Sequence, residues 1–143
     1  MANFLIQEVC SLIKAIQVKS RKRIEFIDIT QEIRNAVSES GVSEGICWIF
    51  VPHTTAGITI NENADPSVVV DIQEQLSKLI PYHSHYKHLE GNADAHIKST
   101  ITNINNYCFI ENGKIVLGTW QGIFFCEYDG PRTRKVLVKI IEG

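Results

Sequence analysis

Ile46-Cys47-Trp48-Ile49-Phe50-Val51 is an unbroken apolar run, and Pro52-His53-Thr54-Thr55 follows it at once. Six residues is strand length rather than helix length, and the β-branched and aromatic content favours a strand buried in a sheet. Pro52 ends it, because proline cannot donate to a ladder. Gly57 to Ile60 then resumes an apolar stretch. The imidazole and two hydroxyls of residues 53–55 therefore sit on the connection between two strands, aimed at one edge of the sheet.

Upstream of this run, Ala15 to Lys19 and Ile24 to Ile27 read as strands flanking an Arg21-Lys22-Arg23 turn. Thr30 is a plausible N-cap for a helix running to about Ser38, with Ile33, Ala36 and Val37 on one side. Gly41 suits the left-handed stop that follows. Residues 1–12 are ambiguous between a short helix and an extended arm.

Downstream, Asp65-Pro66 is a helix start, with Asp at the cap and Pro at the first helical position. Val68, Val69, Ile72, Leu76, Leu79 and Ile80 recur at helical spacing, which predicts an amphipathic helix packed against a sheet. Residues 81–92 are aperiodic and polar, a length of loop that is often functional. A helix over 93–102 and strands over 107–110, 114–117, 122–127 and 134–141 complete the chain. Asn112-Gly113 signals a hairpin, and Asp129-Gly130-Pro131 is a turn joining the last two strands. The helices do not alternate with the strands, which disfavours a doubly wound parallel sheet. The expected class is α+β: one domain over 1–143 with a mixed or antiparallel, sandwich-like sheet and two or three helices.

Composition narrows the function. With 143 residues, 14 basic and 16 acidic side chains, the formal charge is −2, leaving no excess to neutralise a nucleic-acid backbone. No apolar run approaches the ~18 residues needed to span a bilayer, and Met1 to Ile6 has no basic n-region. No nucleic-acid or membrane partner is expected, and the expected location is cytoplasmic. Cys47, Cys108 and Cys126 sit in apolar runs and read as reduced core residues.

Several polar groups fall where a core should be. His53, Thr54 and Thr55 form the first set; the alternative is that they merely satisfy backbone groups. His88 and His96 flank a Gly91-Asn92 turn and can converge. Three neutral imidazoles can make a zinc shell with one position open. His83 and His85, by contrast, read as surface residues. Gln121 and Glu127 are six apart on one strand and share a side, as either a buried hydrogen-bond network or a substrate site. Glu62 is a carboxylate without a capping role, and Arg132 and Arg134 follow the Asp-Gly-Pro turn. There is no GxSxG, Walker or GxGxxG motif. The residues alone reach a polar pocket with imidazole, carboxylate and guanidinium groups, and no particular reaction.

Val51-Pro52-His53-Thr54-Thr55, Asn61-Glu62-Asn63-Ala64-Asp65-Pro66, Glu90-Gly91-Asn92-Ala93-Asp94-Ala95-His96, Leu117-Gly118-Thr119-Trp120-Gln121-Gly122 and Asp129-Gly130-Pro131-Arg132 together resemble the YjbQ-like family. It is also called the secondary thiamine-phosphate synthase enzyme family. The resemblance runs from about Ser11 onward, with residues 1–10 as a variable extension. It implies a compact, sheet-rich homotrimer whose shared site holds His53, His88 and His96, with Glu62, Asp65, Asn92, Gln121 and Glu127 nearby. The family name implies weak joining of a hydroxymethylpyrimidine pyrophosphate to a thiazole phosphate. In that chemistry Mg²⁺, Lys98 and Arg132 stabilise the leaving pyrophosphate, while a histidine or Glu62 assists proton transfer. Thr54, Thr55 and Asn92 are further substrate-binding candidates. Two other functions stay open: a Zn²⁺-dependent hydrolase or lyase using His53, His88 and His96, with Glu62 or Glu127 as base, and a non-enzymatic metabolite-binding trimer.

Overall fold

The computed structural model describes residues 13–143; the reading of residues 1–12 as helix or arm, and Cys10, fall outside the described residues. The strands and helices are β1 (Lys14–Lys19), β2 (Glu25–Asp28), α1 (Thr30–Ser40), β3 (Gly45–Phe50), β4 (Ala56–Glu62), α2 (Pro66–Leu79), α3 (Ala93–Thr102), β5 (Asn105–Glu111), β6 (Lys114–Ile115), β7 (Gln121–Glu127) and β8 (Thr133–Glu142). They form a five-stranded sheet in the order β1-β8-β3-β5-β6 and a three-stranded sheet in the order β2-β7-β4. Every pairing is antiparallel. The class is α+β with three helices, as the aperiodic helix placement predicts.

The apolar run at 46–51 behaves as its composition demands. Cys47, Ile49 and Val51 are fully buried, and β3 lies between β8 and β5. Their neighbours Trp48 and Phe50 point out of the same strand and are more than 40% exposed. The strand is thus central as expected, buried on one face and, among the described residues, uncovered on the other. The core proper is filled by Ile33 and Val37 of α1, Ile58 of β4, Phe125 of β7 and Val136 of β8.

Three connections cross from one sheet to the other at a single end of the molecule: residues 20–24 between β1 and β2, 51–55 between β3 and β4, and 128–132 between β7 and β8. The Asp129-Gly130-Pro131 turn is therefore not a hairpin but a crossover. Gly130 is required there by close approach: a Cβ would sit 2.2 Å from the Lys22 carbonyl oxygen and 2.7 Å from Ser20 Oγ. The Asn112-Gly113 turn is a hairpin, with φ of 51° and 75°, as a type I′ turn needs. It pairs only two residues on each side, so β6 is shorter than the strand expected over 114–117.

The helices depart from the sequence reading in two ways. Thr30 opens α1 but does not cap it; Asp28 Oδ1 accepts from the Thr30 N–H at 2.9 Å, while Thr30 Oγ1 accepts from Ile123 N–H at 2.9 Å. The hydroxyl is spent tying the helix to β7. In α2, Asp65 caps as expected, accepting from Ser67 N–H at 2.9 Å. Among the described residues, however, its apolar stripe has no sheet to bury against. No residue of α2 is buried, Leu79 is 76% exposed, and Leu76 packs only at the margin of a small cluster of Ala95, Cys126 and Tyr128. Among the described residues no helix is long and apolar enough to cross a membrane.

Candidate functional site

The end where the three crossovers meet carries a constellation of polar side chains. Residues 51–55 bring His53, Thr54 and Thr55. Residues 128–132 bring Asp129 and Arg132, and β8 adds Arg134. Asn92 and His96 arrive from the start of α3. Together these groups line a cavity of about 360 Å³. A second depression of about 450 Å³ runs from His53 and His96 along α3 to Asn103 and Ile104.

Two buried ion networks hold this floor. Arg134 Nη2 donates to Glu127 Oε2 at 2.5 Å and to Thr55 Oγ1 at 2.9 Å, and its Nε donates to Glu127 Oε1 at 3.0 Å. Ser20 Oγ and the Asp129 N–H also donate to Glu127. Burial works to raise the Glu127 pKa, but the Arg134 and Ser20 hydrogen bonds outweigh it and hold the carboxyl below its ordinary range. In the second network Asp94, fully buried, takes a bidentate grip from Arg23 at 2.8 and 3.1 Å and an ion pair from Lys98 at 3.0 Å. Burial again opposes ionisation, and the two cations overcome it.

These networks reassign several predicted residues. Glu127 has both oxygens committed, which leaves it no free lone pair with which to act as a base. Lys98 is 1% exposed and neutralised by Asp94, so it does not reach a phosphate. Thr55 is likewise spent on Arg134. Glu62 and Gln121 do not join the pocket. They pair with each other across β4 and β7, whereas Ala56 and Glu127 pair at the opposite end of the same strands. Six residues of strand separate the ends by ~20 Å. Gln121 Oε1 accepts from Gly118 N–H at 2.7 Å, and Asn63 Nδ2 donates to Asp28 Oδ2 at 3.2 Å beside it. Asp65 stays with its capping role in this second group. Sharing a strand side thus does not mean sharing a site.

The groups free to meet a ligand are His53, Thr54, His96, Asn92 and Arg132. His53 Nε2 accepts from Lys135 N–H at 3.0 Å. A backbone amide can only donate, so Nε2 carries the lone pair and the neutral ring presents Nδ1–H. Burial lowers the His53 pKa and the nearby Arg134 guanidinium lowers it further. Arg132 is anchored through Nε to the Asp129 carbonyl and through Nη2 to Asp129 Oδ2, both at 2.7 Å, and is half exposed. Asn92 Nδ2 donates to the same Asp129 carboxylate at 2.9 Å, while its buried Oδ1 has no partner.

The three histidines do not form one ligand shell. The His88 and His96 rings meet edge-on with centroids 5.2 Å apart, and His88 faces Glu90 at 3.7 Å. His53 already accepts at Nε2, so metal binding at Nδ1 would require an imidazolate. Among the described residues no group of three or more His, Cys, Asp or Glu is placed to hold an ion. Cysteine nucleophiles are equally disfavoured: burial pushes the Cys47 thiol up to about 12 and Cys108 up to about 11. His83 and His85 are exposed, as expected.

Arg134 and Arg23 were underrated by sequence reasoning. Arg134 shares parity with Val136 and Val138, the buried side of β8, a legible signal of an inward-facing guanidinium. Arg23 sat inside a basic cluster that reads as a solvated turn.

Fold and site together define a small α+β protein with a cationic pocket at the crossover end of two antiparallel sheets. The chain belongs to the YjbQ-like UPF0047 family, which matches residues 14–143. It is 57% identical to a UPF0047 protein of Methanocaldococcus jannaschii over 93% of this chain and 96% of the relative. The YugU protein of Bacillus subtilis is 47% identical over 91% of this chain and 99% of its own length. A Clostridium acetobutylicum crystal structure of the YjbQ/UPF0047 family superposes with a TM-score of 0.88 at 55% identity, covering 90% and 99% of the two chains. A Thermus thermophilus structure gives 0.84 at 39% identity, covering 90% and 99%.

Proposed function

We propose that this protein is a small-metabolite enzyme whose pocket binds the pyrophosphate or phosphate of its substrate, in a transferase reaction of the thiamine-phosphate synthase type. The observation that carries the reading is the trio of donors at the cavity mouth: Arg132, the His53 Nδ1–H and the Thr54 hydroxyl. Each points to an oxyanion, and guanidinium is suited to phosphate. Asn92 lines the same cavity, its amide oriented by the bond from Nδ2 to Asp129.

In that reaction the thiazole nitrogen lone pair forms a bond to the pyrimidine methylene carbon, and the carbon–oxygen bond to pyrophosphate breaks. The protein's task is to hold two substrates in line and stabilise charge on the leaving oxygens. Arg132 and His53 do the latter, and His96 lines the same pocket. A divalent ion such as Mg²⁺, entering with the pyrophosphate, would add Lewis-acid stabilisation there. A zinc hydrolase built on His53, His88 and His96 is not favoured, given the commitment of His53 Nε2. Assembly as a homotrimer belongs to this proposal as well, since the resemblance implies it and apolar surface is left bare.

The test is a coupled assay for pyrophosphate release. Release is expected only when both substrates are present, and Arg132→Ala and His53→Ala should each lower it by ~10²-fold. Unaltered turnover in both variants would remove this pocket from the mechanism. Stabilisation by pyrophosphate without turnover would make the protein a metabolite binder instead.

A further inference from the structure

We infer that the pocket is completed by a second copy of this chain: the Glu62–Gln121 end of one subunit closes over the His53–His96–Arg132 pocket of its neighbour. This rests on the reading of that pocket as the functional site. Three observations converge on it. First, among the described residues the outward face of the larger sheet is apolar and uncovered: Trp48, Phe50, Tyr107, Phe109 and Ile141 are between 41% and 56% exposed. Cross-strand pairing makes them contiguous, Trp48 with Tyr107, Ile46 with Phe109 and Phe50 with Leu137. Contiguous aromatic surface of this kind marks an association face.

Second, this face is bordered by both polar groups. His53 bonds the amide of Lys135, two residues along β8 from Leu137. Gln121 shares a groove of about 390 Å³ with Tyr107 and Phe109. A head-to-tail contact through the face puts one border of a subunit against the other border of the next, and such heterologous contacts form a ring when the rotation between subunits closes. An isologous pair would instead set like against like.

Third, the borders are complementary. The pocket side carries Arg132 and Lys135 beside its imidazoles. The other carries the Glu62 and Asp28 carboxylates and Trp120, 62% exposed on a loop held by the bond from Asn63 N–H to the Trp120 carbonyl. Tryptophan is enriched among the residues that carry interface energy, and a carboxylate is complementary in charge to a guanidinium. Glu62 from the neighbour then adds a carboxylate to a pocket whose own Asp129 is already engaged by Arg132 and Asn92, and where Glu127 and Asp94 are consumed.

Cross-linking tests this without reference to activity. In a Cys10→Ser background, where Cys47, Cys108 and Cys126 are buried, Thr54→Cys and Gln121→Cys copies are co-expressed with different tags. Purified oligomers are treated with a short bismaleimide. Links between the two differently tagged chains are expected, and neither variant alone should link to itself. Sedimentation of the unmodified protein should give an oligomer that Tyr107→Glu dissociates to a folded monomer. A monomeric wild-type protein, an oligomer without mixed links, or Thr54→Cys copies joined to each other would overturn the proposal. Calorimetry with pyrophosphate separates this failure from that of the functional reading. Binding retained by the Tyr107→Glu monomer means a site complete in one chain, and absence of binding in the unmodified wild-type oligomer means the phosphate reading is wrong.

Discussion

Arg134 is a guanidinium facing the apolar interior of a sheet, tolerated because Glu127 and Thr55 satisfy it. Removing one member of a buried pair leaves the other uncompensated, so Arg134→Ala should cost about 3–5 kcal/mol in denaturant unfolding. Replacement of both by well-packed apolar residues should cost much less. Glu127 and Asp94 also set an acid limit. Both carboxyls are held below their ordinary range in the folded protein, so the unfolded chain binds more protons in mild acid. Their contribution is complete above the ordinary carboxylate range and is lost as pH falls through the lowered folded values. Thermal melts should be flat near neutrality and fall in acid, and Glu127→Gln should flatten part of that fall.

At the scale of the element, α1 and α2 are equally amphipathic in sequence yet differ in what they bury. Ile33 of α1 is fully enclosed, so Ile33→Ala should cost about 2–5 kcal/mol. Leu79 of α2 is mostly exposed, so Leu79→Gln should stay within about 0.5 kcal/mol; a larger loss would mean that the stripe is covered. This contrast shows why the reading of α2 ran ahead of the structure. Periodicity reveals that a helix has an apolar side, but not whether its own chain covers it. Most capping and turn signals fared better, since Asp65-Pro66, Gly41 and Asn112-Gly113 act through local geometry alone, whereas the Thr30 hydroxyl is drawn from its cap by the Ile123 amide of β7. The strands were legible from run length and β-branched content, except β6, whose pairing depends on a partner and not on its own residues.

For the whole molecule, the antiparallel α+β class followed from the order of helices and strands, but the division into two sheets did not. Gln121 and Glu127 share a strand side but stand at opposite ends of β7, ~20 Å apart, so they do not share a pocket. His53 and Arg132 do, because each occupies a crossover at one end. The buried thiols report on this architecture: Cys47, Cys108 and Cys126 should be inert to a thiol reagent in native buffer and should all react in denaturant. Rapid native labelling of any of the three would mean that the core opens locally.

The guanidinium of Arg23 grips Asp94 at the head of α3 and also lies 3.5 Å from the centre of the Tyr82 ring, at the start of the long loop. One side chain therefore clamps both segments that deliver histidines, His88 from the loop and His96 from the helix. An Arg23→Gln protein should keep its sheets yet lose the fixed spacing between those two rings, and a protease should find the loop between Tyr82 and Asn92 first.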